Sequence, residues 1–200
     1  MTILAMIRHG DTDWNRQGLI QGHSDIPLGE EGERDVRSWR LPPDLEEFDW
    51  IASPLKRALE TARLLAKREP RIEERLTEMS WGEWEGRTLA ALREELGDLM
   101  RAWEARGLDF RGPEGESPRD VQDRVRPLLA ELAQAGKPTV AVCHRGVIRS
   151  VYAMATGWDM VEKAPVKLRD AAVHYFILTS DGTPAVDRLN VKLGADLEPR

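Results

Sequence analysis

The opening segment Thr2-Ile3-Leu4-Ala5-Met6-Ile7 is a short, nearly unbroken apolar run that stops at Arg8-His9-Gly10. Runs of this length without polar alternation suit strands buried on both faces, the usual condition of a parallel sheet. Similar runs recur at Asp49–Ala52 and Thr139–Cys143, and each leads into a helical pattern. Over Pro54–Lys67, the residues Leu55, Ala58, Leu59, Ala62 and Leu65 share one face; over Val147–Ala155, Ile148, Val151 and Tyr152 do the same. Strand, turn and helix in repetition predict α/β architecture, because a strand followed by a crossover helix is the unit of a parallel sheet.

Local signals mark the ends of these elements. Ser53 is placed to cap a helix whose first residue is Pro54, and Ser117-Pro118-Arg119-Asp120 repeats the arrangement. From Glu83 to Gly107 the pattern is helical and charged, broken at Gly97, and Arg111–Glu116 is a Gly/Pro loop. We therefore expect a helical cover over the sheet at roughly residues 83–116. Val173–Thr179 and Val186–Val191, joined through Asp181-Gly182, read as a hairpin that extends the sheet at one edge. Length, a 41% apolar content and the lack of any repeat or composition shift predict one domain over residues 1–200, with a loosely held polar tail after Leu193.

A net charge of −6, with acidic and basic residues thoroughly mixed, argues against a nucleic-acid surface, which needs a one-sided basic patch. Cys143 is the sole cysteine, so no intrachain disulfide can form. The apolar opening is too short for a signal-peptide core or a membrane span. These features predict a soluble cytoplasmic protein without nucleic-acid or membrane partners.

Ligands of an α/β sheet bind beyond the carboxyl ends of its strands. There the chain carries Arg8-His9-Gly10-Asp11-Thr12-Asp13-Trp14-Asn15, then Ser53-Pro54-Leu55-Lys56-Arg57, then His144-Arg145-Gly146. Two histidines and at least two arginines thus converge on one crevice. Arginine grips phosphate oxygens through a planar fork, and glycine lets backbone amides approach closely. A neutral imidazole is a competent nucleophile toward phosphorus, and neighbouring guanidinium groups favour that neutral form. His9 is the candidate nucleophile for phosphoryl transfer.

These residues resemble the histidine phosphatase superfamily in its phosphoglycerate-mutase-like branch. Arg8-His9-Gly10 with Thr12, Trp14 and Asn15 is similar to its R-H-G-x-T-x-W-N signature, and Ser53 to Ala62 to its S-x-L-x-R-A-x-x-T-A helix. Arg75-Leu76-Thr77-Glu78 with Trp81-Gly82 and Glu85-Gly86 matches the segment carrying the family's acid, and Gly115-Glu116-Ser117 and His144 follow in order. The resemblance covers residues 2 to about 155. It implies a three-layer α/β/α sandwich, mostly parallel with an antiparallel edge, and a reaction without metal or other cofactor. It further implies that His9 is phosphorylated, that Arg8, Arg57 and His144 hold the phosphoryl oxygens, and that Glu78, chosen over Glu83 and Glu85, protonates the leaving oxygen. Asn15 and Gly22 are the further substrate-binding positions. The ligand so implied is a small phosphomonoester, hydrolysed to inorganic phosphate. A phosphoglycerate mutase is the alternative, disfavoured because mutases of the family carry a longer insertion than Glu78 to Gly115 provides; a non-catalytic phosphate-binding module ranks last.

One departure stands out: the family's second histidine is usually followed directly by glycine, whereas Arg145 here precedes Gly146. Arg145 could face solvent, contact the phosphate or select the substrate. Cys143 to Ser150 also fits C-x5-R-S, the phosphate loop of cysteine-dependent phosphatases, with Cys143 as a rival nucleophile and Arg149 as its phosphate ligand. That scheme leaves the motifs around His9, Arg57 and Glu78 without a role. A metal site from His9, Asp11, His23 and His144 lacks close ligand spacing and would set arginines against a cation. His23 is expected at the pocket mouth, His174 as a packing or surface residue, and at least one of Trp14, Trp81 and Trp84 on the pocket wall.

Overall fold

The computed structural model describes residues 1–194, and the tail expected to be loose falls mainly outside them. The chain runs β1 (Thr2–Arg8), the single turn α1 (Asp13–Arg16), α2 (Glu30–Ser38), β2 (Asp49–Ala52), α3 (Lys56–Ala66) and the two-residue strand β3 (Arg71–Ile72). Two short helices follow, α4 (Leu89–Leu96) and α5 (Asp98–Glu104), then the long α6 (Pro118–Ala135). The remainder is β4 (Thr139–Cys143), α7 (Arg145–Thr156), β5 (Ala172–Leu178) and β6 (Pro184–Lys192). No helix among the described residues is long and apolar enough to cross a membrane.

The strands form a six-stranded sheet in the order β3-β2-β4-β1-β5-β6. The first four are parallel, whereas β5 and β6 are antiparallel and form the expected edge. Residue alternation along β1 splits the core. Leu4 and Met6 face Val121, Val125, Leu128 and Val151 of α6 and α7, while Ala5 and Ile7 face Val36, Ala58 and Ala62 of α2 and α3. Both faces of the central strands are therefore apolar, and helices cover each side. That is the α/β/α sandwich expected. A third cluster, built on Trp84, Leu92 and Met100, lies in the segment containing α4 and α5.

Helix α6 begins as its sequence predicts. The Ser117 hydroxyl accepts from the Asp120 amide and the Asp120 carboxylate accepts from the Ser117 amide, with Pro118 in the first turn. The other expected cap is overturned. Helix α3 starts at Lys56, two residues later than predicted, its N-cap is Leu55, and no side chain caps it. Ser53 is occupied elsewhere, hydrogen-bonded to His144.

One close approach joins the helical layer to the end of β1. A side chain on Gly32 of α2 would place its Cβ 1.9 Å from the carbonyl oxygen of Asp11. An exposed helix interior gains stability from Gly→Ala, by up to about 1 kcal/mol. Here the sign reverses. Gly32→Ala is expected to lower stability by about 1–3 kcal/mol through overpacking, read as a lower urea midpoint at unchanged m-value.

Candidate active site

Sheet register brings the candidate residues to one level. Arg8 pairs with Cys143 across β1 and β4, so His9 and His144 emerge side by side, tied by a 3.0 Å bond from the His9 amide to the Cys143 carbonyl. On the other side of β4, Ala52 pairs with Val142, and the Ser53 amide donates to the Val142 carbonyl at 3.0 Å. Arg57 enters from the first turn of α3. The Gly10 amide donates to Thr61 Oγ1 on that helix, fixing the turn after His9.

His9 is almost fully buried, and its Nδ1 lies 2.6 Å from the Gly10 carbonyl oxygen. A carbonyl only accepts, so Nδ1 carries the proton and Nε2 keeps its lone pair. Burial, then the Arg8, Arg57 and Arg145 charges, holds the His9 pKa well below the usual histidine range. His144 is fully buried, with its ring centroid 5.0 Å from that of His9. Burial, followed by His9, Arg57 and Arg8, depresses its pKa too. Two unit charges at that separation repel by roughly 3 kcal/mol at an effective dielectric of 20, enough to keep the pair from charging together.

Ser53 holds the second histidine. Its Nε2 stands 2.8 Å from Ser53 Oγ, which itself accepts from the Leu55 amide at 3.4 Å. With the Ser53 hydroxyl donating to Nε2, His144 carries its own proton on Nδ1. That Nδ1 and Arg57 Nε are the buried side-chain atoms without a hydrogen-bond partner among the described residues. Both are donors, set in a cationic neighbourhood.

Arg57 is fully buried and donates through Nη1 to the Ser24 carbonyl at 2.8 Å and through Nη2 to the Gly22 carbonyl at 2.7 Å. Glu85 holds the same loop from its other side, accepting from the His23 and Ser24 amides and the Ser24 hydroxyl. Gly22 has φ +52°, and a Cβ there would stand 2.0 Å from Glu85 Oε1. Glu85 is thereby committed to structure, and Glu83 is exposed. Of these three carboxyl groups, Glu78 is the one that lines the cavity. It is buried, and accepts from the Met79 amide at 2.8 Å and the Gly146 amide at 3.2 Å. Burial raises its pKa, against the opposing pull of those amides and of Arg57 and Arg8. Gly146 permits the approach, since a Cβ would lie 2.4 Å from Glu78 Oε1.

A cavity of about 570 Å³ is lined by Arg8, His9, Asn15, Gly22, Arg57 and Glu78. His144 lies beside His9 without reaching its wall. Asn15 also accepts from the Thr12 amide at 3.0 Å, closing a capping box around α1. Trp81 reaches the cavity, Trp84 is buried in the third cluster, and Trp14 lies against Gly86. His23 stands outside the lining, half-exposed and 3.7 Å from Glu116. His174 is a packing residue whose ring nitrogens meet the Arg169 carbonyl and the Asn190 amide. Cys143 faces the core, and burial pushes its thiol far above the ordinary range, opposing the thiolate that a cysteine mechanism needs. No three His, Cys, Asp or Glu side chains among the described residues gather into a cation-sized group.

Sequence reasoning missed three supports. Ser53 carried a capping signal that masked its bond to His144. Arg124 clamps the Arg75 and Thr77 carbonyls next to Glu78, and it pairs with Glu116 at 3.0 Å. Asp170, between α7 and β5, lies 3.0 Å from Arg8 and 2.5 Å from Arg145, bridging the two arginines. Arg145 is thus exposed but paired.

Comparison with known proteins follows this geometry. The chain is 31% identical over 167 residues to an uncharacterized phosphatase, PhoE, of Bacillus subtilis, covering 80% of each chain. It is 31% identical over 168 residues to phosphoserine phosphatase 1 of Hydrogenobacter thermophilus, covering 80% of this chain and 79% of the relative. The mycobacterial glucosyl-3-phosphoglycerate phosphatase, solved in complex with VO3, superposes with a TM-score of 0.79 at 27% identity, over 98% of this chain and 100% of that one. With residues 4–192 matching the family model as well, the chain belongs to the histidine phosphatase superfamily, branch 1.

Proposed function

We propose that this chain hydrolyses small phosphomonoesters through a phosphohistidine formed on His9. The observation that carries the reading is the paired state of His9 and Glu78. The nucleophile is held neutral with its Nδ1 proton on a carbonyl, and the facing carboxyl group has a raised pKa, on the wall of one cavity that also holds Arg8 and Arg57. The phosphatase names of the relatives support the same class of reaction. A lone cysteine without a disulfide partner in the chain is in keeping with a cytoplasmic setting.

In the first step Nε2 of His9 attacks phosphorus while the ester oxygen leaves with the proton of Glu78. Arg8 and Arg57 take the charge that spreads over the phosphoryl oxygens, and the Nδ1–H of His144, off the cavity wall, adds to their field. In the second, water attacks the phosphohistidine and gives its proton to the Glu78 carboxylate. Inorganic phosphate departs, His9 recovers its lone pair, and Glu78 is again an acid. The Met79 and Gly146 amides favour the carboxylate and burial favours the acid, so Glu78 serves both steps. Ser53 positions His144 through its bond to Nε2.

His9→Ala is expected to lower kcat on p-nitrophenyl phosphate by at least about 10³-fold and to abolish the alkali-stable phosphoenzyme trapped on quenching. Cys143→Ala should retain both; dependence on Cys143 instead would install the cysteine mechanism. With 3-phosphoglycerate, free phosphate is the expected product, and the 2-phospho isomer would mark a mutase.

The pH dependence has a definite sign. His9 is depressed and stays neutral at pH values where an ordinary histidine is charged, so the nucleophile is lost only below the usual histidine range. Glu78 is raised and must be protonated in the first step, so kcat/KM on an alkyl phosphate should fall as pH rises through its pKa. Glu78→Gln should remove that descending limb and lower the alkyl phosphate rate by about 10²–10⁴-fold. The loss should be smaller on p-nitrophenyl phosphate, whose leaving group needs less protonation; equal losses on both substrates would deny Glu78 its role as acid.

A further inference from the structure

The His9 cavity does not end at the phosphoryl ligands. Away from His9 its wall carries Arg145, Arg149, Glu162 and Lys163, and the same four residues line an adjoining cavity of about 700 Å³. The shelf between the two therefore bears three cations and one acid, in a chain whose net charge is −6. The adjoining cavity adds Lys167 and Arg169 against Asp170. A local cationic excess inside an acidic protein marks where an anion is received.

The cations differ in how they are held. Arg145 is tied through Asp170 to Arg8, so its guanidinium is only one carboxylate away from the phosphoryl-binding arginine. Arg149, one turn further along α7, lies over the Trp158 ring at 4.9 Å from its centroid. Trp158 in turn donates through Nε1 to the Glu162 carbonyl at 2.9 Å, which sets the backbone next to Lys163. The Val166 amide is pinned on the Tyr152 hydroxyl at 3.1 Å. Among the described residues the side chains of Arg149 and Lys163 make no hydrogen bond or ion pair, and Glu162 pairs with neither. The shelf is thus built on a helix and a pinned loop, with two of its charges uncommitted.

Resting on the hydrolase reading above, we propose that the substrate is a phosphomonoester carrying a second anionic group, a carboxylate or another phosphate, which Arg149 and Lys163 receive while His9 takes the phosphoryl group. The axial rise from Arg145 to Arg149 is about 6 Å. The second anion is thus received on the α7 side of the cavity, one helical turn beyond Arg145. The aromatic face of Trp158 is covered by Arg149, so the shelf selects for charge and offers little to a nucleobase.

Matched substrates test this: 3-phosphoglycerate against glycerol 3-phosphate, phosphoserine against phosphoethanolamine, and glucose 1,6-bisphosphate against glucose 6-phosphate. Charge-assisted hydrogen bonds predict at least about a tenfold kcat/KM preference for the anionic member of one pair or more, carried mainly by KM. In Arg149→Met and Lys163→Met that ratio should collapse toward one, whereas Arg149→Lys should keep most of it. A ratio near one in the native chain for every pair, or a preference that survives both methionine variants, overturns the proposal. Hydrolysis of p-nitrophenyl phosphate by the native chain keeps the two readings apart. Its presence with unselective pairs sinks the shelf alone, and its absence sinks the hydrolase reading and the shelf with it.

Discussion

The bond from the His9 amide to the Cys143 carbonyl is the last rung of the β1–β4 ladder, and the site's geometry depends on it. Two parallel strands end at the same level only if their register is fixed, and register here is fixed by burial on both faces. A slip by one residue would turn Leu4 and Met6 toward α2 and α3 and rotate every polar residue beyond the strand ends. The apolar core thereby dictates, to within a hydrogen bond, where the two imidazoles meet. The tight seat of Gly10 against Val36, and of Asp11 against Gly32, then holds the turn after His9 to the helical layer.

On that frame, electrostatics assigns the chemistry. Arginines and burial press both histidines toward neutrality, and burial presses Glu78 toward its protonated form. A base-like nitrogen and an acid coexist in one cavity because their surroundings push their pKa values in opposite directions. Glu85 shows the contrast. Of the same residue type and seven positions away, it is engaged by the amides and hydroxyl of the 22–24 loop and stands outside the cavity lining.

The strand order could not be read from the chain, but the double-faced burial of the strands, the β5–β6 hairpin and the convergence of His9, Arg57 and His144 could, because apolar periodicity and strand-end position are local properties. What escaped depended on residues far apart in sequence. Ser53 had the local signature of a cap, yet its partner lies on β4's far end, 91 positions on, and tertiary demand overrode the signal. Strand β3 has two residues and offers no periodicity to detect. Asp170 looked like any surface aspartate, since nothing in its neighbourhood of the chain announces Arg8 as its partner. Arg145 broke a motif, and the break was visible while its purpose was not.

The orphaned Nε of Arg57 and Nδ1 of His144 carry a consequence for the whole molecule. Buried donors without acceptors, beside a second arginine, cost folding free energy that the rest of the sheet must offset. On the hydrolase proposed above, an oxyanion bound between them relieves that cost only in the folded state, which makes inorganic phosphate a folding ligand as well. Melting temperature should thus track phosphate concentration.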